Sequence, residues 1–198
     1  MTVQDTDILD RLSGIASGSA LDALRRERPQ TRDNVQASYE ALFTAADETG
    51  ISQSERLVVA SFVGLLHGGG PAAAHYLGLL EAQPNGVALA ALVRGLAERA
   101  TTSGPYGAYP AGPLSSEDVD GLTFKLEADR RAALGERLAV ALEHVHQLVF
   151  HPRDAKASDF APLKNAGWST PAIVTLSQIV AYLSFQIRAA HGLRVLGA

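Results

Sequence analysis

The sequence predicts an all-α protein with a single compact domain over residues 1–198. Hydrophobic residues make up 46% of the chain and charged residues 19%, which is the composition of a globular domain. Apolar residues recur at the three- and four-residue spacing of amphipathic helices in one segment after another. Glycine and proline separate these segments, which divides the chain into about seven to nine helices.

The first of these segments, residues 1–30, predicts two short helices that form an N-terminal arm. The first helix places Ile8 and Leu12 on one face. Ser19 is a residue that caps helix starts, so a second helix is expected to follow it. The charge of both helices favours a position on the surface.

The stretch from Ser52 to Tyr76 is the centre of the predicted core. A helix from residue 34 to 47, ended by Glu48-Thr49-Gly50, leads into it as the first half of a helical hairpin. Ser52 and Glu55 have the spacing of a capping box, in which each side chain binds a free backbone N–H group. Only small or apolar residues follow from Leu57 to Leu66, so this helix is expected to be buried.

Glycine and proline end that helix and start the next one. The run His67-Gly68-Gly69-Gly70-Pro71 suits a left-handed helix C-terminus followed by a first helical turn. The second helix extends from Pro71 to about Glu81 and carries His75 near its start. A turn at residues 83–86 then precedes an amphipathic helix from Val87 to Ala100.

Residues 101–121 form a long loop that is rich in glycine and proline and has no apolar period. A connection of this length inside a compact domain is usually a lid, an arm or a disordered loop. Tyr106 and Tyr109 favour a loop that packs, with a neighbouring subunit as one candidate surface. Helix is expected again from Leu126 to Phe150, and a short helix from Asp159 to Asn165.

The final helix begins at a Ser169 cap, and no formal charge occurs between Lys164 and Arg188. It is long enough to cross a bilayer, but its serine, threonine and glutamine residues favour a core helix. We therefore expect no membrane partner. One stripe of the helix is apolar, and the adjacent small and polar stripe is a candidate pocket lining: Ser177, Ala181, Ser184, Arg188 and His191.

The two uncharged helices are similar to each other. Aligning Ser52 with Ser169 matches Val63 with Val180. We therefore predict two related helical halves whose uncharged helices pack face to face.

These features resemble the carboxymuconolactone decarboxylase superfamily, which includes the alkyl hydroperoxidase D-like proteins. The resemblance consists of Glu55-Arg56 opening a hydrophobic helix, a helix break, and His75 one turn into the next helix. The C-terminal run that starts with Ala166–Val174 and ends with Phe185–Arg188 and Gly192-Leu193 is similar to the last helix of peroxidase-related members. With His151-Pro152-Arg153-Asp154, the chain looks like a cysteine-lacking subgroup of decarboxylase-domain proteins over roughly residues 34–196.

The resemblance implies a compact helical fold of two related halves, and assembly as a homo-oligomer. The peroxidase branch has a Cys-x-x-Cys motif at the helix break, where this chain has Gly68 or Gly69 and Pro71 or Ala72. The chain contains no cysteine. The dithiol peroxidase reaction is therefore excluded, because a thiolate is its reacting group.

Glu55, His75 and His67 are the candidate catalytic residues. By the resemblance, Glu55 matches the glutamate of the peroxidase proton relay, and its structural alternative is the capping box. His75 is a candidate proton donor or acceptor, because histidine titrates near neutral pH; its alternative is packing. The alternative for His67 is a structural role as a cation at a helix C-terminus.

Arg188, Ser184 and Tyr76 are the candidate substrate contacts. A guanidinium that follows several apolar turns is rarely buried without an acidic partner or an anionic ligand. We therefore expect Arg188 either to bind a substrate carboxylate or to form a salt bridge with Glu55 or Asp154. Ser184 lies one turn before Arg188, and Tyr76 follows the candidate histidine of the second helix.

No metal or cofactor site is expected. His144 and His146 point to different sides of one helix, and no carboxylate completes a ligand set with His144 and His151. The net charge of −4, without a basic block, argues against nucleic acid as a partner. The acidic N-terminus lacks the pattern of a secretory signal, which favours a cytoplasmic protein.

Two functions fit these observations. The first is a cofactor-free lyase-type enzyme that moves a proton on a small carboxylate or lactone, by decarboxylation or isomerisation, between the two uncharged helices. The second is a non-catalytic helical oligomer whose pocket binds a ligand or a partner subunit. Convergence of Glu55, His75 and Arg188 on one cavity would favour the enzyme, and their separation would favour binding.

Overall fold

The computed structural model describes residues 7–44 and 50–197, and no β-strand forms within these ranges. Two of the ten α-helices have only six residues, so the eight longer ones fall within the predicted number and the all-α class is confirmed. The helices are α1 (Ile8–Ser13), α2 (Ala20–Arg26), α3 (Pro29–Phe43), α4 (Gln53–Leu66), α5 (Gly70–Glu81), α6 (Gly86–Ala100), α7 (Ala128–Leu134), α8 (Glu136–Phe150), α9 (Phe160–Asn165) and α10 (Thr170–Leu196).

Helix α4 is the centre of the core and is surrounded by α5, α6, α8 and α10. The predicted capping box is confirmed, because the Glu55 carboxylate accepts a hydrogen bond from the Ser52 N–H (2.8 Å) and Ser52 Oγ accepts one from the Glu55 N–H (3.3 Å). Gly64 allows α5 to approach closely, since a Cβ atom there would lie 2.9 Å from the Ala73 Cα. An alanine at residue 64 would therefore push the two helices apart.

Helices α4 and α10 pack against each other, as the sequence predicts. A Cβ atom on Gly50, just before α4, would lie 3.2 Å from the Ala172 Cβ at the start of α10. The two helices therefore begin at the same end of the molecule and run roughly parallel. Val63 and Val180, which the internal similarity matches, are both buried.

Helix α10 is long and apolar enough to cross a membrane by length and composition alone, and 39% of its most apolar window is buried in the fold. Leu176, Ile179 and Leu183 form its inner stripe and are fully buried. The helix is therefore part of the core in this structure, as its polar residues predict.

Helix α1 is also part of the core, which differs from the expected surface arm, whereas α2 buries only Asp22 and lies at the surface as expected. Ile8 and Leu12 of α1 are buried, and α1 packs against α10 and α3. The charges that favoured a surface position are paired instead. Asp7 accepts hydrogen bonds from Arg25 (3.0 Å) and Arg32 (2.9 Å).

Two helix boundaries differ from the predictions. Gly135, with φ of 84° and ψ of 148°, divides the segment that was expected to be one helix from Leu126 to Phe150. Glycine adopts this conformation without steric cost. Helix α3 starts at Pro29, where a proline suits the first turn, and its predicted end at residues 45–49 lies outside the described residues.

Candidate functional site

A cavity of about 480 Å³ lies where the C-terminal ends of α4 and α8 meet the middle of α10. Its wall is mostly apolar, with Leu66, Leu148, Phe150 and Val180 among the lining side chains. Its polar groups are Ser177, Ser184 and Arg188 from α10 and His67 from the end of α4. Gly104, Pro105 and Pro152 form the remaining side.

The small and polar stripe of α10 lines this cavity, as its helical spacing predicts. Ser177, Ala181, Ser184 and Arg188 are all in the lining. His191, the last residue of the predicted stripe, is not in it. The stripe therefore faces the end of α4 over three turns and leaves the cavity before the end of the helix.

Arg188 is the cation of the cavity and is exposed. It makes no hydrogen bond or ion pair with any residue in the ranges 7–44 and 50–197. The predicted salt bridge is wrong for both partners, because Glu55 pairs with Arg137 and Asp154 pairs with His151. Solvent satisfies the guanidinium, so its importance lies in its position at an apolar cavity.

His67 ends α4 and lies in the same cavity. Its Nδ1 atom is 2.9 Å from the Val63 carbonyl oxygen, which can only accept, so the proton is on Nδ1. Burial lowers the pKa of His67, and the nearby Arg188 lowers it further against the opposing effect of the Val63 carbonyl. A neutral His67 therefore has an unprotonated Nε2 atom that can accept a hydrogen bond or a proton.

Glu55 lies at the opposite end of α4. His67 is about 18 Å away from it, at the helical rise of about 1.5 Å per residue. One Glu55 oxygen accepts the capping hydrogen bond, and the other accepts a hydrogen bond from Arg137 Nε (2.6 Å). Arg137 also donates to the Gly50 carbonyl (2.5 Å) and stacks over Trp168 (4.1 Å). Glu55 thus joins the starts of α4, α8 and α10.

His75 and Tyr76 are not among the residues that line this cavity. His75 Nε2 shares a hydrogen bond with the Tyr39 hydroxyl (3.0 Å), and burial lowers the pKa of His75 to about 4. Tyr76 is fully buried and its hydroxyl donates to Gln186 Oε1 (2.8 Å), while burial raises its pKa. Both side chains connect α5 to neighbouring helices inside the core.

The geometry therefore separates the six predicted site residues into two sets. His67, Ser184 and Arg188 share one cavity. No family model matches the sequence, and no curated protein or solved structure matches it. The superfamily resemblance stays a prediction, as do the roles that it implies for Glu55 and His75.

Among the described residues, no group of three or more His, Cys, Asp or Glu side chains is placed to hold a metal ion. His144 lies against the Phe160 ring, whereas His146 Nε2 is 3.0 Å from the Ala100 carbonyl oxygen. The two histidines thus point to different sides of α8, as their spacing predicts.

Sequence reasoning missed the far wall of the cavity. Phe150 ends α8, and Gly104 and Pro105 belong to the long loop between α6 and α7. These residues are brought together by tertiary packing, which no local pattern encodes. The sequence offered one signal of this wall. His67 precedes a glycine and His151 precedes a proline, which predicts a helix end at each of the two residues that lie near the cavity.

Proposed function

We propose that this cavity binds a small ligand with an anionic group and an apolar body, with a carboxylate as the best fit. The observation that carries the proposal is Arg188, which has no ion-pair partner among the described residues, beside Ser184 and a neutral His67 at a mostly apolar cavity. A guanidinium binds a carboxylate through two parallel hydrogen bonds. The Ser184 hydroxyl can complete the polar contacts, and the apolar wall suits a hydrocarbon chain.

Arg188 decides the charge of the ligand. Helices α4 and α8 both end at the cavity, and a helix C-terminus carries roughly half a negative charge. These ends disfavour an anion, and Arg188 is the positive group that opposes them. Without its guanidinium the cavity would prefer a neutral or cationic ligand.

The separation of Glu55 and His75 from Arg188 favours binding over the acid–base reaction expected from the superfamily resemblance. Acid–base chemistry on the same ligand is a second proposal, and the free Nε2 atom of His67 beside Arg188 supports it. Homo-oligomeric assembly and a cytoplasmic location belong to the proposal as expectations from the sequence.

The proposal is tested with hexanoate and its neutral amide, hexanamide, as matched probes. We expect hexanoate to shift the backbone NMR resonances of the α10 stripe, and Arg188→Gln to weaken its binding by about 10- to 100-fold, since a hydrogen bond to a charged group contributes about 1.5–3 kcal/mol. Hexanamide, which lacks the charge, should bind the native protein and the variant equally.

Arg94→Gln is the control, because Arg94 pairs with Glu81 on the surface and lies outside the cavity. It should bind hexanoate like the native protein. Equal hexanoate affinity in the native protein and Arg188→Gln, or no hexanoate binding at millimolar concentration, would contradict the proposal.

A further inference from the structure

The loop between α6 and α7 is held by the turn His151-Pro152-Arg153-Asp154, a motif that the proposed function does not use. We call residues 101–127 the strap and this turn the clasp. Arg153 Nη2 donates to the Pro105 carbonyl (2.8 Å), and the Asp154 carboxylate accepts from the Ala108 N–H (3.1 Å). Just before the clasp, the Phe150 carbonyl accepts from the Tyr106 N–H (2.6 Å).

The strap is fitted closely to the clasp. A Cβ atom on Gly107 would lie 2.6 Å from the Asp154 carboxylate, and one on Gly104 would lie 3.1 Å from the Phe150 ring. The Tyr106 ring packs against His151 with centroids 5.2 Å apart. The predicted packing of the loop tyrosines is thus confirmed, with the same chain as the partner. The expectations of an arm or a disordered loop do not fit these contacts.

His151 connects the clasp to the far part of the strap. Its Nδ1 atom lies 3.1 Å from an Asp154 carboxylate oxygen, and its Nε2 atom lies 2.9 Å from the Leu122 carbonyl oxygen. Both partners are acceptors, so both contacts are hydrogen bonds only when both ring nitrogens carry protons. A neutral imidazole has one N–H group and can satisfy only one of the two.

The strap also forms part of the cavity wall. Gly104 and Pro105 of the strap and Pro152 of the clasp line the cavity beside Arg188. A change in how the strap rests on the clasp therefore moves one side of the proposed ligand site.

We propose that protonation of His151 fastens the strap onto the clasp and that loss of this proton releases it, so that pH controls one wall of the cavity. The fastening stands on the two His151 contacts: the Nε2 atom binds Leu122 of the strap, and the Nδ1 atom binds Asp154 within the clasp. Its consequence for ligand binding rests on the proposed function.

The other charged groups around His151 are already engaged. Glu143 of α8 is bound by Lys125 of the strap and by Arg131 of α7. Asp159 accepts hydrogen bonds from the side chain of Gln147 and the N–H of Lys156. Asp154 is thus the carboxylate that pairs with His151.

The remaining titratable neighbours are Tyr106, Arg153 and His146. His146 has its ring centroid 6.5 Å from that of His151, and burial lowers the pKa of His146 to about 4. His146 is therefore neutral throughout the range in which histidines ordinarily titrate.

Hydrogen exchange tests the proposal on the protein without a probe. We expect the protection factors of the Tyr106 and Ala108 amides to fall at least about tenfold as pH rises, since a hydrogen bond to a charged group contributes about 1.5–3 kcal/mol. The midpoint should coincide with the titration of His151 followed by NMR on the same sample. Protection factors are used because they remove the pH dependence of intrinsic exchange.

His151→Gln should abolish the pH dependence, and Asp154→Asn should reduce it, because it removes the charged partner of His151 while keeping an oxygen acceptor for Ala108. His191→Gln is the control, because His191 is exposed on α10 away from the strap. The proposal is overturned if the protection factors of the Tyr106 and Ala108 amides do not change with pH. It is also overturned if they change with a midpoint that differs from the His151 titration followed by NMR. A failure of hexanoate to bind overturns only the proposed function, since these measurements need no ligand.

Discussion

His144 is buried on α8, and neither of its ring nitrogens has a hydrogen-bond partner among the described residues. Burial lowers its pKa against the opposing effects of the nearby Asp159 and Gln147 side chains, so the folded protein keeps this imidazole neutral, with no well-formed hydrogen bond to its N–H group. A buried polar group without a partner costs about 1–3 kcal/mol, whereas an apolar group of similar size costs nothing of this kind.

His144→Leu should therefore raise the free energy of unfolding by about 1 kcal/mol, measured by urea denaturation at pH 7.5. The gain should grow as pH falls below the ordinary histidine value of 6.5, because the unfolded native chain then binds a proton that the fold resists. His146→Leu is the matched control on the same helix. It should destabilise the protein, because it leaves the buried Ala100 carbonyl without its partner.

At the residue scale, the sequence revealed local pairings and missed distant ones. The Ser52–Glu55 capping box is three residues apart and was predicted from spacing alone. The second partner of Glu55 is Arg137, which lies 82 positions away in the chain. Both oxygens of the Glu55 carboxylate are therefore engaged in contacts that support the fold. The contact with Arg137, which decides this, is one that no local sequence pattern shows.

At the scale of elements, α1, α2 and α3 are joined by a network of ion pairs around Asp7 and Asp10. Asp7 also caps α1 by accepting from the Asp10 N–H (2.8 Å). Burial tends to raise the pKa of Asp7, but hydrogen bonds from Arg25, the Asp10 N–H and Arg32 lower it below the ordinary 3.8. A lowered pKa gives stability that is present above pH 3.8 and is lost as pH falls through the lower folded value.

Asp7→Asn should lower the free energy of unfolding by about 1–3 kcal/mol at pH 7, because Arg25 and Arg32 lose a charged partner while asparagine keeps the cap. The deficit relative to the native protein should shrink as pH falls below 3.8, because the Asp7 carboxyl of the unfolded native chain then binds a proton that the folded protein resists. Urea denaturation between pH 3 and 7 measures this slope. Asp33→Asn, an exposed change on α3, should follow the native curve. If the free energy of unfolding of Asp7→Asn is lower than that of the native protein by the same amount at every pH, the effect of Asp7 comes from packing and not from its charge.

The same network explains why a surface arm was expected. The apolar face of α1 was visible at helical spacing, but its aspartates could be read as solvated charges. Their arginine partners lie 15 to 25 positions away, on other helices. The helix break at Gly135 was also missed, because one glycine inside a helical pattern is a weak signal compared with the His67–Pro71 run.

At the scale of the whole molecule, the pairing of α4 with α10 could be predicted because each helix has a long stretch without charge, residues 57–66 in α4 and 170–187 in α10. What could not be predicted is that one side of α10 stays uncovered. Val174 and Phe185 are 52% and 48% exposed and lie eleven residues apart, which places them on one outer stripe opposite the buried residues of the helix. A helix that is apolar on all sides is normally covered on all sides.

We expect the homo-oligomer implied by the sequence resemblance to bury this outer stripe of α10. Phe185→Glu places a charge on this stripe, and it should weaken self-association at least about tenfold, because a buried unpaired charge is costly at an interface. Sedimentation equilibrium measures the association constant, and unchanged circular dichroism establishes that the variant is folded. Val87→Glu is the matched control at an exposed valine on α6. If Phe185→Glu associates as the native protein does, the stripe is not the interface, and a native protein that is monomeric throughout would contradict the oligomer itself.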